Sequence, residues 1–71
     1  MKTIRQLREE RGWGQRELAR RAGVSHVAVW YWEQGQRTPG ADQLRALAHA
    51  FGVSMDAIDF THPATQEPTD D

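Results

Sequence analysis

One run of twenty-one residues constrains this chain more than any other: Gln15-Arg-Glu-Leu-Ala-Arg-Arg-Ala-Gly-Val-Ser-His-Val-Ala-Val-Trp-Tyr-Trp-Glu-Gln-Gly35. It sets Ala19, Gly23 and Val29 at its fifth, ninth and fifteenth positions. That spacing predicts two short helices packed across a sharp turn. The first helix needs a small residue where the second crosses it, and Ala19 is small. The turn needs a residue that accepts φ > 0 or a close backbone approach, which glycine does. The second helix needs an apolar anchor back into the core, and Val29 provides it.

The flanking sequence predicts three more helices. Thr3 followed by Gln6 reads as a capping box, and Ile4 and Leu7 begin an apolar stripe, so a first helix is expected over 3–11, ending at Gly12. Trp13 and Gly14 form a link, and Gly12-Trp-Gly14 reads as a helix boundary only. The second helix covers 15–22 with Leu18, Ala19 and Ala22 inward, and Gly14 is a mediocre N-cap for it. Ser25 is a good N-cap for a third helix that stops at Gly35. After the turn-rich stretch 36–40 comes a fourth helix over 41–51, with Leu44, Leu47, Ala48 and Phe51 inward, closed by Gly52. Ser54 is expected to cap a short fifth helix over 55–60, with Asp56 well placed in its first turn. From Thr61 onward two prolines and three acidic residues without apolar periodicity predict a disordered acidic C-terminal tail. No repeat and no strand is visible. The expected fold is all-α: a compact five-helix domain over 1–60 with a tail over 61–71.

Seventy-one residues make one small domain, near the lower limit for a chain that folds without staples. The absence of cysteine removes disulfides and thiolate metal sites from consideration and suits a reducing compartment. No apolar run approaches the ~20 residues of a membrane span, and the charged N-terminus does not resemble a signal peptide. A cytoplasmic protein is expected.

A formal net charge of −1 and a pI near 6.3 argue at first sight against a nucleic-acid partner. The distribution points the other way. Residues 1–39 hold eight basic side chains against four acidic ones, whereas residues 40–71 hold Arg45 against six acids. Positive charge is thus segregated onto the half that carries the two-helix unit. A plain solvated helix surface is the competing explanation.

Helix pairs joined this way place the second helix in the major groove of DNA. Val29 and Trp32, three apart, must share the inward face of that helix, with Glu33 on its flank. His26, Val27, Trp30 and Tyr31 are left as candidate base contacts. The histidine can donate or accept, the valine can pack on a thymine methyl, and the tyrosine and tryptophan offer an O–H, an N–H and flat apolar surface. None is one of the strong bidentate readers, Arg, Lys, Asn or Gln. Discrimination is therefore expected to lean on apolar contacts and DNA shape. Trp30 and Tyr31 cannot both turn inward with Trp32, so at least one is exposed and wants a partner, DNA or protein. Candidate phosphate contacts are Gln15 and Arg16 at the start of the second helix, Ser25 and Gln34 at the ends of the third, and Gln36 and Arg37 just beyond it. Arg16, Arg20 and Arg21 are expected to add general attraction, and each arginine reads more readily as a solvated surface charge than as a specific contact.

From Leu7 to Phe60 the chain resembles the lambda-repressor-like family, also called the Cro or xenobiotic-response-element family. The residues that carry the resemblance are Gln15-x-x-Leu18-Ala19, Gly23-Val24-Ser25, Trp32-Glu33-x-Gly35, Pro39 and Leu44-x-x-Leu47-Ala48-x-x-Phe51-Gly52-Val53-Ser54. The resemblance implies a five-helix fold, binding of a short palindromic operator as a homodimer, and regulation of transcription. It also implies that Gln15 meets phosphate, that residues 26, 27 and 31 face bases, and that Arg8 pairs with Glu33 as a structural bridge. Met55, Ile58 and Phe60 become candidates for a dimer interface, with a core role for Ile58 as the alternative. Gly14, where the family has a hydroxyl cap, and the acidic tail depart from the pattern.

Two functions follow as expectations. The first is a small repressor whose partner is double-stranded DNA. The second is a protein-interaction module of antitoxin or adaptor type that uses the exposed aromatics or the acidic tail. An enzyme is not expected. His26, His49 and His62 fall on different elements, no nucleophile–base or paired-carboxylate arrangement presents itself, and no metal, cofactor or small-molecule substrate is implied.

Overall fold

The computed structural model describes residues 1–59, and the expected tail lies outside them. In chain order these residues form β1 (Lys2–Thr3), α1 (Ile4–Glu10), α2 (Gln15–Ala22), α3 (His26–Gln34) and α4 (Ala41–Phe51). One turn of 3₁₀-helix (Met55–Ala57) and β2 (Ile58–Asp59) follow.

Helix α1 starts where its capping box demands. Gln6 N donates to Thr3 Oγ1 at 3.1 Å, and Thr3 N donates to Gln6 Oε1 at 2.8 Å, so two otherwise orphaned N–H groups are satisfied together. Helix α2 begins at Gly14 without a side-chain cap and ends at Gly23, whose φ of 69° is left-handed. That conformation lets Val24 N donate to Ala19 O at 3.0 Å and turns the chain toward α3. A Cβ at Gly23 would meet no atom within 4 Å, so the demand there is conformational and not steric. Gly23→Ala should therefore cost about 1 kcal/mol, read as a lower urea midpoint at unchanged helicity. A midpoint equal to that of the parent would refute the argument.

The core gathers one face from each helix. Leu18 and Ala19 from α2, Val29 and Trp32 from α3, and Leu44, Leu47, Ala48 and Phe51 from α4 close over Ile4 and Leu7 of α1. Leu18, Val29 and Leu47 lie at the centre with no exposed surface. Ala22, expected inward, is half-buried against this cluster.

Three expectations are revised. The predicted fifth helix is a single 3₁₀ turn, with Ala57 N donating to Ser54 O at 3.0 Å, and Phe60 lies outside the described residues. The chain leaves that turn because Ile58 adopts an extended conformation, is only 2 % exposed, and joins a parallel pair with the N-terminal segment. That pair is the second revision: Lys2 aligns with Ile58 and Thr3 with Asp59, where no strand was expected. Two residues per strand are too few for any alternation to register. The pairing ties the two ends of the described chain together. Thirdly, Trp13 is more than a boundary residue. Its ring stacks on Phe51 at 5.9 Å between centroids and 13° between planes, while the Arg21 guanidinium lies 4.5 Å over its centroid. Arg11 completes this edge by donating from Nη1 to Leu7 O at 2.8 Å and from Nη2 to Phe51 O at 2.6 Å. It thereby satisfies C-terminal carbonyls of two helices.

Candidate nucleic-acid interface

Helix α3 is framed at both ends. Ser25 Oγ accepts from Val27 N at 3.1 Å, which caps the helix and leaves the hydroxyl proton free to donate outward. At the far end Gly35, at φ 76°, donates to Trp32 O and Gln36 N donates to Tyr31 O, so the loop is folded back onto the last turn. Val29, Trp32 and Glu33 are buried. Val27, Trp30, Tyr31 and Gln34 recur at helical spacing on the opposite side, with His26 at the rim. Val27 is 53 % and Trp30 41 % exposed, an unusual outlay of apolar surface for so small a domain. His26, Tyr31 and Gln34 are half-buried.

The inward side of α3 is fastened by charge. Glu33, only 3 % exposed, accepts from Arg8 Nε at 2.7 Å and from Arg8 Nη2 at 3.0 Å. Arg8 also donates through Nη1 to Trp13 O at 2.9 Å. Hydrogen bonding to Glu33 raises the Arg8 pKa above its ordinary value against the opposing pull of burial. A third donor was not legible in the sequence: Gln15 Nε2 donates to Glu33 Oε1 at 3.0 Å. The first residue of α2 is thus tied to the inner face of α3. Its amide keeps a second N–H for another acceptor beside the uncapped first turn of α2.

The arginines divide into two groups. Arg5, Arg8, Arg11, Arg20, Arg21 and Arg45 each lie within 4 Å of a carboxylate. The pairs of Glu17 with Arg20 and Arg21 hold its carboxyl below the usual range. Among the described residues, only Arg16 and Arg37 have no carboxylate partner, and both are exposed. They occupy the start of α2 and the loop after α3, on either side of α3 in the chain. Gln36 is exposed beside Arg37. Arg37 rests 4.4 Å over the centroid of Tyr31, whose ring packs against Trp30 in a T-shaped contact at 5.1 Å and 79°.

A family model described as a helix-turn-helix domain matches residues 2–60, which includes the whole of this arrangement. The chain belongs to the helix-turn-helix domain family. Domains of this family bind DNA, are related to Cro/CI-type regulators and have no catalytic activity. No curated protein matches the chain. In this helix-turn-helix domain α2 and α3 are the namesake helices and Gly23 opens the turn between them. Among the described residues no three His, Asp or Glu side chains gather as a metal site, and no helix is long and apolar enough to cross a membrane.

The candidate dimer residues fare differently from the α3 face. Ile58 is withdrawn from that role, because its side chain is spent on the core. Met55 is half-buried against the same core, and Phe60 lies outside the described residues.

Proposed function

We propose that this helix-turn-helix domain is a sequence-specific repressor of transcription in the cytoplasm, binding a palindromic operator as a homodimer with α3 in the major groove. The observation that carries the reading is the placement of Arg16 and Arg37. Six of eight arginines lie beside carboxylates, and the two left open stand at the start of α2 and in the loop after α3, before and after the helix that exposes Val27 and Trp30. Phosphates on either side of a groove supply the missing negative charge. Gln15, Ser25, Gln34 and Gln36 add uncharged donors along the same path, and the outward stripe of α3, with His26, Val27, Trp30 and Tyr31, lies in the groove. Repression by occlusion needs nothing beyond this face.

Selection from random duplex DNA with the purified protein tests the proposal. An enriched inverted repeat is expected, with half-sites one helical turn, about 34 Å, apart. Enrichment of a single unpaired half-site would overturn the homodimer, and no enrichment would overturn sequence-specific binding. The exposed pair Val27 and Trp30 supports a second reading, in which the same stripe docks on a protein. Binding by that route is largely insensitive to salt.

A further inference from the structure

Tyr31 stands among the candidate base contacts because its spacing points it outward, yet its ring is already in use. The Arg37 guanidinium carbon lies 4.4 Å over the ring centroid, and Trp30 packs against the ring at 5.1 Å in an edge-on arrangement. Six positions separate Tyr31 from Arg37, so the regular helix does not bring them together. The fold does so with two anchors. Gly35 turns the chain in a left-handed conformation, and Gln36 N donates to Tyr31 O at 3.1 Å. Two residues beyond Arg37, Pro39 is buried. The arginine is held between these points with its charge open to solvent and no carboxylate beside it among the described residues.

We infer that Tyr31 is a positioning residue: its ring is the platform that holds the Arg37 guanidinium toward the DNA backbone, and the tyrosine itself reads no base. This rests on the DNA-binding reading above and refines it. An arginine side chain has many rotamers to lose on binding. A guanidinium already stacked on an aromatic face loses fewer of them when it meets a phosphate. Trp30 packs on the ring in a T-shaped contact and keeps its own exposed surface for the groove, beside Val27 and His26. The phenol hydroxyl has no part in such a role. Stacking on an exposed ring corresponds to roughly two- to fivefold in affinity for each protomer.

The test uses the full chain, a fluorescein-labelled duplex of the selected operator, and the variants Tyr31→Phe, Tyr31→Ala, Arg37→Ala and Tyr31→Ala/Arg37→Ala. Tyr31→Phe should bind as the parent does. Tyr31→Ala should weaken binding roughly fivefold or more in the dimer, flatten its salt dependence toward that of Arg37→Ala, and leave base preferences unchanged. The double variant should bind no worse than Arg37→Ala alone, because the ring acts only through the arginine. Without DNA, ring-current shifts on the Arg37 side-chain protons should be present in the parent and Tyr31→Phe and absent in Tyr31→Ala. A parent protein that selects no duplex overturns the DNA reading and this assignment together. A parent that selects DNA while Tyr31→Phe is as damaged as Tyr31→Ala overturns the assignment alone. So does altered base preference in Tyr31→Ala, or losses that multiply in the double variant.

Discussion

Arg8→Met should lose about 3–5 kcal/mol of stability, enough to leave most molecules unfolded at room temperature. Glu33 is a carboxylate at 3 % exposure, and two of its three hydrogen bonds come from one guanidinium. Removing that guanidinium leaves a buried charge with only the neutral Gln15 amide as partner, and breaking a buried pair from one side typically costs this much. A single core below about 70–80 residues rarely supplies more than ~3–5 kcal/mol, so the loss is comparable to the whole. The companion variant Arg8→Met/Glu33→Leu should recover most of it. Replacing both charges with apolar groups of similar volume removes the desolvation cost along with the attraction. Gln15, half-buried at the start of α2, can then return its amide to water. Urea denaturation followed by far-UV circular dichroism decides the matter. A loss below about 1 kcal/mol for the single variant would place the pair with ordinary surface ion pairs.

What could be read ahead of the structure divides along contact range. The turn at Gly23, the cap at Ser25 and the buried pair Val29 and Trp32 all follow from neighbours within a few positions, where helix period and capping chemistry act directly. The revised features depend on residues far apart. Ile58 looks helical beside Met55 and Ala57, and only its pairing with Lys2 makes it extended. Trp13 looks like linker until Phe51, thirty-eight positions on, gives its ring a face to stack on. The bond from Gln15 to Glu33 spans eighteen positions and follows from how α2 crosses α3, which spacing within either helix does not encode. At the candidate interface, the outward stripe of α3 was legible because it is what remains when Val29 and Trp32 turn inward. Which arginines stay without a partner was not, since neutralisation depends on rotamers and on carboxylates one helical turn or a whole helix away.

The same division of the arginines sets the size of the second large effect. Two open arginines per protomer make four on the proposed dimer. Release of counterions from as many phosphates gives a slope of about −3.6 in log affinity against log salt. Operator binding should therefore weaken by roughly a hundredfold or more between 50 and 200 mM salt. Arg16→Ala and Arg37→Ala should each flatten the slope by about 1.8 in the dimer. Arg5→Ala, Arg20→Ala and Arg45→Ala should leave it nearly unchanged, because each of those charges is already answered by Glu9, Glu17 or Asp42. Trp30→Ala should behave in a third way, lowering affinity with little change of slope, since an apolar contact releases no counterions. A slope that flattens equally for all five arginine variants would mean that overall positive charge attracts the DNA and that the placement of Arg16 and Arg37 has no special weight. A slope near zero in the parent, with Trp30→Ala abolishing complex formation, would instead assign the α3 stripe to a protein partner, because docking through Val27 and Trp30 buries apolar surface that salt does not screen.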